Sequence, residues 1–87
     1  MTPLQSCRSL HAKCVLAFEE DPGVEVGKIR RSNIVPDSWF FHVYVLAHDG
    51  AQMRAQRSNT IMCGPGSVVV DGPDEAAIGQ AIKQQPF

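Results

Sequence analysis

The stretch Trp39-Phe40-Phe41-His42-Val43-Tyr44-Val45-Leu46-Ala47-His48, followed by Asp49-Gly50, decides the fold of this chain of 87 residues. Aromatic and β-branched residues fill both alternating sets of positions, which is typical of a central strand with both faces covered. One set comprises Trp39, Phe41, Val43, Val45 and Ala47, and the other comprises Phe40, His42, Tyr44, Leu46 and His48. Asp-Gly favours a tight hairpin, so residues 52–63 are predicted to return as an antiparallel strand.

The segments before this strand predict a helix and a shorter strand. Apolar residues fall at helical spacing at Cys7, Leu10, Cys14, Ala17 and Phe18. The spacing predicts a helix over residues 6–20 with Ser6 as its N-cap, ended by Asp21-Pro22-Gly23. Residues 24–30 are predicted to form a strand with a bulge at Gly27.

The segments after the hairpin predict one more strand and a second helix. Gly64-Pro65-Gly66 forms a turn into a strand over residues 67–70, and a helix capped by Asp71 or Gly72 follows. Its apolar stripe is Ala77, Ile78, Ala81 and Ile82. The sequence therefore predicts one α+β domain over residues 1–87, with a single antiparallel sheet of about four strands and an N-terminal and a C-terminal helix, in the order α-β-β-β-β-α. Both helices are expected on one face of the sheet, because each has only one apolar stripe to bury.

Composition excludes several classes of protein. Eight Lys and Arg residues balance nine Asp and Glu residues, and 44% of the residues are hydrophobic. A polycationic nucleic-acid binder and a disordered chain are both excluded, so no nucleic-acid partner is expected. The longest apolar run is far shorter than the roughly 20 residues of a membrane span. The arginines and the carboxylates at Glu19-Glu20-Asp21 and at Asp71, Asp74 and Glu75 are interpreted as surface groups.

The three cysteines Cys7, Cys14 and Cys63 are an odd number, and no secretory leader is read at residues 1–6. Reduced thiols and a cytoplasmic location are expected from this combination. Cys7 is predicted near the start of the first helix, where unpaired amide donors and the helix dipole stabilise a thiolate. His42 is a candidate base for such a nucleophile.

Cys7-Arg8-Ser9-Leu10 at a helix start, Trp39 to Leu46, and then Asp49-Gly50-Ala51-Gln52-Met53 together resemble the papain-like cysteine peptidases of the NlpC type. In that family a nucleophilic cysteine begins a helix and a histidine begins a strand that runs into a glycine turn. A third polar residue on the next strand orients the histidine. The resemblance implies that Cys7 is the nucleophile, His42 the general base, and Gln56 or Asn59 the orienting group.

A metal site is a second chemical possibility. Cys7, His11 and Cys14 follow each other at helical spacing, and Cys63 would complete a tetrahedral set. The spacing lacks the short Cys-x-x-Cys turn that structural zinc sites use, and core packing explains the same positions. No metal and no cofactor are therefore predicted.

The leading interpretation is a small binding or self-associating module. The face with Phe40, Tyr44, Leu46 and His48 is its expected interaction surface, because aromatic and aliphatic anchors with a polar neighbour are typical of interfaces and clefts. A second copy of the chain is expected to cover part of this face, giving a dimer. A small-molecule or peptide ligand stays open, and a cysteine-nucleophile hydrolase that uses Cys7 and His42 is the alternative function.

Overall fold

The computed structural model describes residues 1–49 and 53–86, with the side chains of all of these except residues 47–49 and 53–55. Within these residues there are two helices and five strands. In chain order they are α1 (Pro3–Phe18), β1 (Val24–Val26), β2 (Arg30–Arg31), β3 (Trp39–Asp49), β4 (Met53–Gly64), β5 (Ser67–Asp71) and α2 (Glu75–Lys83). The strands form one antiparallel sheet in the order β1-β3-β4-β5, and β2 also pairs with β3. This architecture confirms the predicted α+β class.

The hairpin of β3 and β4 is the centre of the sheet. Its register runs from Trp39 opposite Cys63 to Asp49 opposite Met53. The predicted return strand is therefore present and antiparallel. The Gly50 position of the predicted Asp49-Gly50 turn lies outside the described residues.

The segment predicted as one strand over residues 24–30 forms two short strands. Val26 pairs with Val43, whereas Arg30 pairs with Phe40, so residues 27–29 contain one residue more than a regular ladder would hold. An extra residue of this kind is a β-bulge, which Gly27 predicted. The Gly27 amide donates to the His42 carbonyl at 2.7 Å, and a Cβ on Gly27 would lie 3.1 Å from that oxygen. The bulge explains why the sheet has five strands rather than about four.

Helix α1 begins earlier than the sequence predicts. Thr2, not Ser6, is the N-cap, and its hydroxyl accepts from the Gln5 amide while the Gln5 side chain accepts from the Thr2 amide. This reciprocal capping box satisfies two amides that would otherwise lack partners. Pro3 fits the first helical position because it has no amide hydrogen to satisfy. Cys7 consequently lies one turn inside the helix.

Both helices pack on the same face of the sheet. The fully buried apolar core joins Cys7 and Cys14 of α1, Ile78 of α2, and strand residues of β3 and β4, namely Phe41, Val43, Ile61 and Cys63. The Cα atoms span only 19 Å in the shortest direction, the thickness of one helix layer on one sheet. Neither helix among the described residues is long and apolar enough to cross a membrane.

Helix α2, in contrast to α1, begins later than predicted. Its N-cap is Asp74, rather than Asp71 or Gly72, and the Asp74 side chain does not cap the helix. Gly72 has a φ of +137°, and a Cβ there would lie within van der Waals overlap of Asn59. Only glycine fits this close approach, which brings the start of α2 against β4.

Candidate functional site

The face of the sheet opposite the helices carries a row of aromatic side chains. We define the open face as Phe40, His42, Tyr44 and Leu46 of β3 with Thr60 and Met62 of β4. The His42 ring lies 5.4 Å from the Phe40 ring and 5.7 Å from the Tyr44 ring, centroid to centroid. All three rings are partly exposed, and Leu46 is 37% exposed. Among the described residues, no helix covers this row.

His42 is held in place by its cross-strand partner. His42 lies opposite Thr60 in the register, and the His42 Nδ1 and the Thr60 Oγ1 share a hydrogen bond of 3.1 Å. Because Nδ1 is engaged, the ring keeps a fixed orientation between its two aromatic neighbours. Only Nε2 is left to meet another group.

The loop between β2 and β3 rises over one end of the open face. The Ser32 hydroxyl accepts from the amides of Ile34 and Val35, at 3.3 and 3.0 Å, which fixes the loop. The loop and the sheet enclose a cleft of about 380 Å³. Its lining is Ser32, Asn33, Ile34, Val35, Phe40, His42, Thr60 and Met62. Ile34 at the tip of the loop is 88% exposed.

The predicted nucleophile lies on the other side of the sheet. Cys7 is fully buried in the core between α1 and the sheet. Burial, reinforced by the neighbouring Cys63, raises the pKa of the Cys7 thiol to about 12. A position one turn inside the helix also gives Cys7 none of the unpaired amides that stabilise a thiolate at a helix end. The structure does not bring Cys7 and His42 together, because the sheet separates them.

Asn59 is also on the helix-covered side, where it joins β4 to the start of α2. Its Nδ2 donates to the Val43 carbonyl at 3.2 Å and to the Asp74 carboxylate at 3.0 Å. Its Oδ1 accepts from the Asp74 amide at 2.8 Å. Asn59 is fully buried, and both ends of its amide are therefore used in structural bonds. Gln56, the alternative orienting residue, is exposed and lies opposite Leu46.

Asp74 extends this network from Asn59 to a partly exposed ion pair. The Arg57 guanidinium donates to both Asp74 oxygens, with a shortest contact of 2.7 Å. Hydrogen bonds from Arg57 and then from Asn59 lower the pKa of Asp74 below its ordinary value of 3.8. Asp74, interpreted from the sequence as a surface group, is thus largely covered and paired, whereas the Arg57 side chain is 38% exposed, as expected of a surface arginine. Their signal in the sequence was the alternation itself, which places Arg57 and Asn59 in the same set as Ile61.

The residues of the metal hypothesis belong to the helix-facing core. The three cysteines are all free and buried. The His11 Nε2 shares a hydrogen bond of 2.8 Å with the Gly27 carbonyl, and its ring packs edge-on against Phe41. The described part of the chain contains no group of three or more His, Cys, Asp or Glu side chains arranged to hold a metal ion.

The predicted interaction residues Phe40, Tyr44 and Leu46 do share one face, together with His42. His48 belongs to β3, but its side chain lies outside the described residues. The loop at Ser32–Val35 was not anticipated, although two consecutive aliphatic residues in a polar segment were a visible signal. No family model matches the sequence, and neither a curated protein nor a solved structure matches it.

Proposed function

We propose that this protein is a self-associating module in which a second copy of the chain covers the open face. The row of three aromatic rings on the side of the sheet away from both helices carries this proposal. A domain of this size buries only roughly 60–65% of the surface of its unfolded chain, so covering a further apolar face is a substantial gain in stability. Leu46 and Ile34 add exposed aliphatic surface at the two ends of the row.

The shape of the open face suits a second copy. The Ser32–Val35 loop raises the end of the open face near Phe40. A twofold axis that crosses the strands at His42 places this raised end over the Leu46 end of the partner's open face. Ile34 and Val35 of one copy then pack near Tyr44 and Leu46 of its partner, which brings exposed aliphatic side chains together.

The charges on the outer strands fit the same axis. Glu25 lies opposite Tyr44 and Arg30 lies opposite Phe40, so both side chains project on the same side of the sheet as the open face. Along the strand direction, they lie on opposite sides of His42. The twofold axis at His42 brings Glu25 of one copy to Arg30 of its partner, and the reverse. Opposite charges therefore meet in both halves of the interface, which fixes its register.

The experiment compares two exposed leucines with the same substitution. Leu46→Lys places a charge on the open face, and Leu16→Lys, at a residue of similar exposure on α1, is the control. We expect Leu46→Lys to weaken self-association about tenfold or more, since a charge desolvated in an apolar interface is unfavourable. Light scattering coupled to size-exclusion chromatography over a range of concentrations measures the mass. A monomeric wild type at millimolar concentration, or equal masses for both variants, would overturn the proposal.

A charge exchange tests the register within the open face. Glu25→Lys alone is expected to weaken association, because two cations then face each other at both ends of the interface. The double variant Glu25→Lys, Arg30→Glu restores the opposite charges and is expected to recover most of the affinity. Failure of the double variant to recover would rule out the axis at His42, even if the open face is the interface.

The alternative function, a thiol hydrolase built on Cys7 and His42, requires these side chains to come within hydrogen-bond reach. In the described arrangement the sheet stands between them, so the geometry supports a binding module better. Alkylation with iodoacetamide, followed by mass spectrometry, distinguishes the two functions. Slow and similar labelling of all three cysteines is expected for a binding module, because all three are buried. Fast, selective labelling of Cys7 at neutral pH would favour the hydrolase.

A further inference from the structure

Strand β5 ends the sheet and presents an apolar edge. It is the last strand in the order β1-β3-β4-β5. Val68 and Val69 are 51% and 53% exposed, although β-branched residues of this kind are usually buried in a sheet. A regular, exposed apolar edge strand is a template for pairing with another strand.

The direction of the backbone groups in β5 follows from hydrogen bonds elsewhere in the sheet. The Gly27 amide donates to the His42 carbonyl and the Leu46 amide donates to the Gly23 carbonyl, both at 2.7 Å. Even-numbered residues of β3 therefore direct their backbone groups toward the β1 side. Because successive residues of a strand alternate in direction, the odd-numbered residues of β3 bond to β4.

The same alternation continues across β4 into β5. In the register of β3 with β4, odd-numbered residues lie opposite odd-numbered residues, so the odd-numbered residues of β4 bond to β3. The even-numbered residues of β4 therefore bond to β5 on the other side. Met62 lies opposite Val69, and these two residues therefore form a hydrogen-bonded pair. Val68 and Val70, on either side of Val69, direct their amides and carbonyls away from the sheet.

The chain leaves β5 in a direction that keeps this edge open. After Asp71, Gly72 approaches Asn59 closely, and the Asp74 amide and carboxylate both bond to Asn59. The turn into α2 is thus anchored over β4. Among the described residues, no strand pairs with the outer side of β5.

The opposite edge of the sheet is built differently. It consists of two short strands, β1 and β2, separated by the bulge at residues 27–29. The Gly27 carbonyl in this bulge also shares a hydrogen bond with the His11 ring. Bulges and short strands are devices that prevent edge pairing. Of the two described edges, only β5 is regular enough to extend the sheet.

We propose that β5 pairs antiparallel with β5 of a second copy, with a twofold axis at Val69. In this register Val68 of one copy lies opposite Val70 of its partner, and the reverse, while the two Val69 residues face each other. Val68 and Val70 are the residues with outward backbone groups, so both form hydrogen-bonded pairs with the partner. All four outward groups of each copy are satisfied, and a registry shift by one residue would satisfy none of them.

Side chains and charges fit this register. Three valine pairs occupy the centre, and β-branched pairs stabilise neighbouring strands. Asp71 lies opposite Ser67 of the partner, where the serine hydroxyl can donate to the carboxylate. No like charges face each other in the five-residue pair. The pairing uses the edge rather than the open face, so it is independent of the association proposed above and allows assemblies larger than a dimer.

Amide hydrogen exchange tests the edge pairing directly. The measurement is made on Leu46→Lys at high and low protein concentration, so that open-face association does not contribute. We expect the Val68 and Val70 amides to be protected at high concentration and to lose about tenfold or more of that protection on dilution. The Val69 and Asp71 amides, which bond to β4, stay protected at both concentrations and are the internal control. Unprotected Val68 and Val70 amides at every concentration would overturn the proposal.

A charge pair at the twofold axis tests the partner and the register. Val69→Lys and Val69→Glu each place like charges opposite each other, and each variant alone is expected to lose protection at Val68 and Val70. An equimolar mixture is expected to recover it, because lysine then faces glutamate. An equimolar mixture that does not recover the protection of Val68 and Val70, with both variants folded by circular dichroism, would rule out Val69 as the centre. If the edge pairing fails this test, the open-face association is unaffected, because the comparison of Leu46→Lys with Leu16→Lys tests it separately.

Discussion

Phe40 and Phe41 are adjacent phenylalanines in β3, yet they lie in two different environments. Phe41 is fully buried under α1 and α2, and it contacts the edge of the His11 ring. Phe40 is partly exposed on the open face beside His42 and lines the cleft under the Ser32–Val35 loop. Because both residues are phenylalanines, their difference in burial arises entirely from which side of the sheet the two helices cover.

The same division separates polar residues. Asn59 and Thr60 are neighbours in β4, and each forms side-chain hydrogen bonds. Asn59 is inaccessible to water and binds three partners in the turn before α2 and in β3. Thr60 bonds to His42 where water can replace either group. Asn59 on the helix-covered face is thus excluded from water, whereas Thr60 on the open face remains partly exposed to it.

The largest expected effect comes from truncating the two phenylalanines. Phe41→Ala removes a fully buried ring and is expected to cost about 3–5 kcal/mol of unfolding free energy. Phe40→Ala, the control, is expected to cost about 1 kcal/mol or less in the monomer, since its ring is partly hydrated already. Urea denaturation at low protein concentration measures both values. If Phe41→Ala does not fold, Phe41→Leu replaces it, with an expected cost of about 1–2 kcal/mol. Equal costs for the two positions would contradict the division between the faces.

A smaller difference is expected between Asn59→Ala and Thr60→Ala. Asn59→Ala leaves the Asp74 amide and the Val43 carbonyl without their side-chain partner and is expected to cost about 2–3 kcal/mol. Thr60→Ala removes one partly exposed hydrogen bond and is expected to cost about 1 kcal/mol or less. The same denaturation assay reports both. A Thr60→Ala cost as large as that of Asn59→Ala would show that the open face is also part of the stabilising core.

The smallest expected effect is on how the unfolding free energy depends on pH, through the Asp74 carboxylate. The pKa of Asp74 is lower in the folded protein than its ordinary value of 3.8, because Arg57 and Asn59 donate hydrogen bonds to the carboxylate. The folded state therefore gains stability from this group above about pH 4, and this gain is lost as the pH falls through the folded pKa. Asp74→Asn is expected to lack this component of the acid dependence. Urea midpoints between pH 7 and pH 3 measure it, and identical slopes for both proteins would refute it.

Much of the fold could be predicted from β3 alone. Strict alternation assigned Phe41 and Val43 to one face and Phe40 and Tyr44 to the other, and the register confirms these sets. Which face the helices cover could not be predicted, because both sets are apolar. The predicted pairing of Cys7 with His42 was uncertain for the same reason. Each residue lies near the expected end of its element, but the side of the sheet on which Cys7 lies depends on the packing of α1.

The hydrogen-bond network around Asn59 could not be predicted from the sequence, for a different reason. Asp74 is fifteen residues from Asn59 along the chain, and their contact depends on the turn at Gly72. The close approach of Gly72 to Asn59 joins the turn before α2 to β4, although the two residues are not neighbours in the sequence. Local patterns predict where elements begin and end, whereas such contacts follow from how the elements are arranged in space.

The placement of α1 has a consequence for folding during synthesis. This helix of 16 residues is synthesised before every strand of the sheet, and a helix of about that length is only marginally stable alone in water. Its buried residues Cys7 and Cys14 pack against Cys63 and Ile78, which are translated only after the whole of β3. The local β3–β4 hairpin can pair before that point, because its strands are close in sequence. Helix α1 is thus synthesised before the residues it packs against, and nascent chains that end before β4 leave its apolar stripe exposed to solvent.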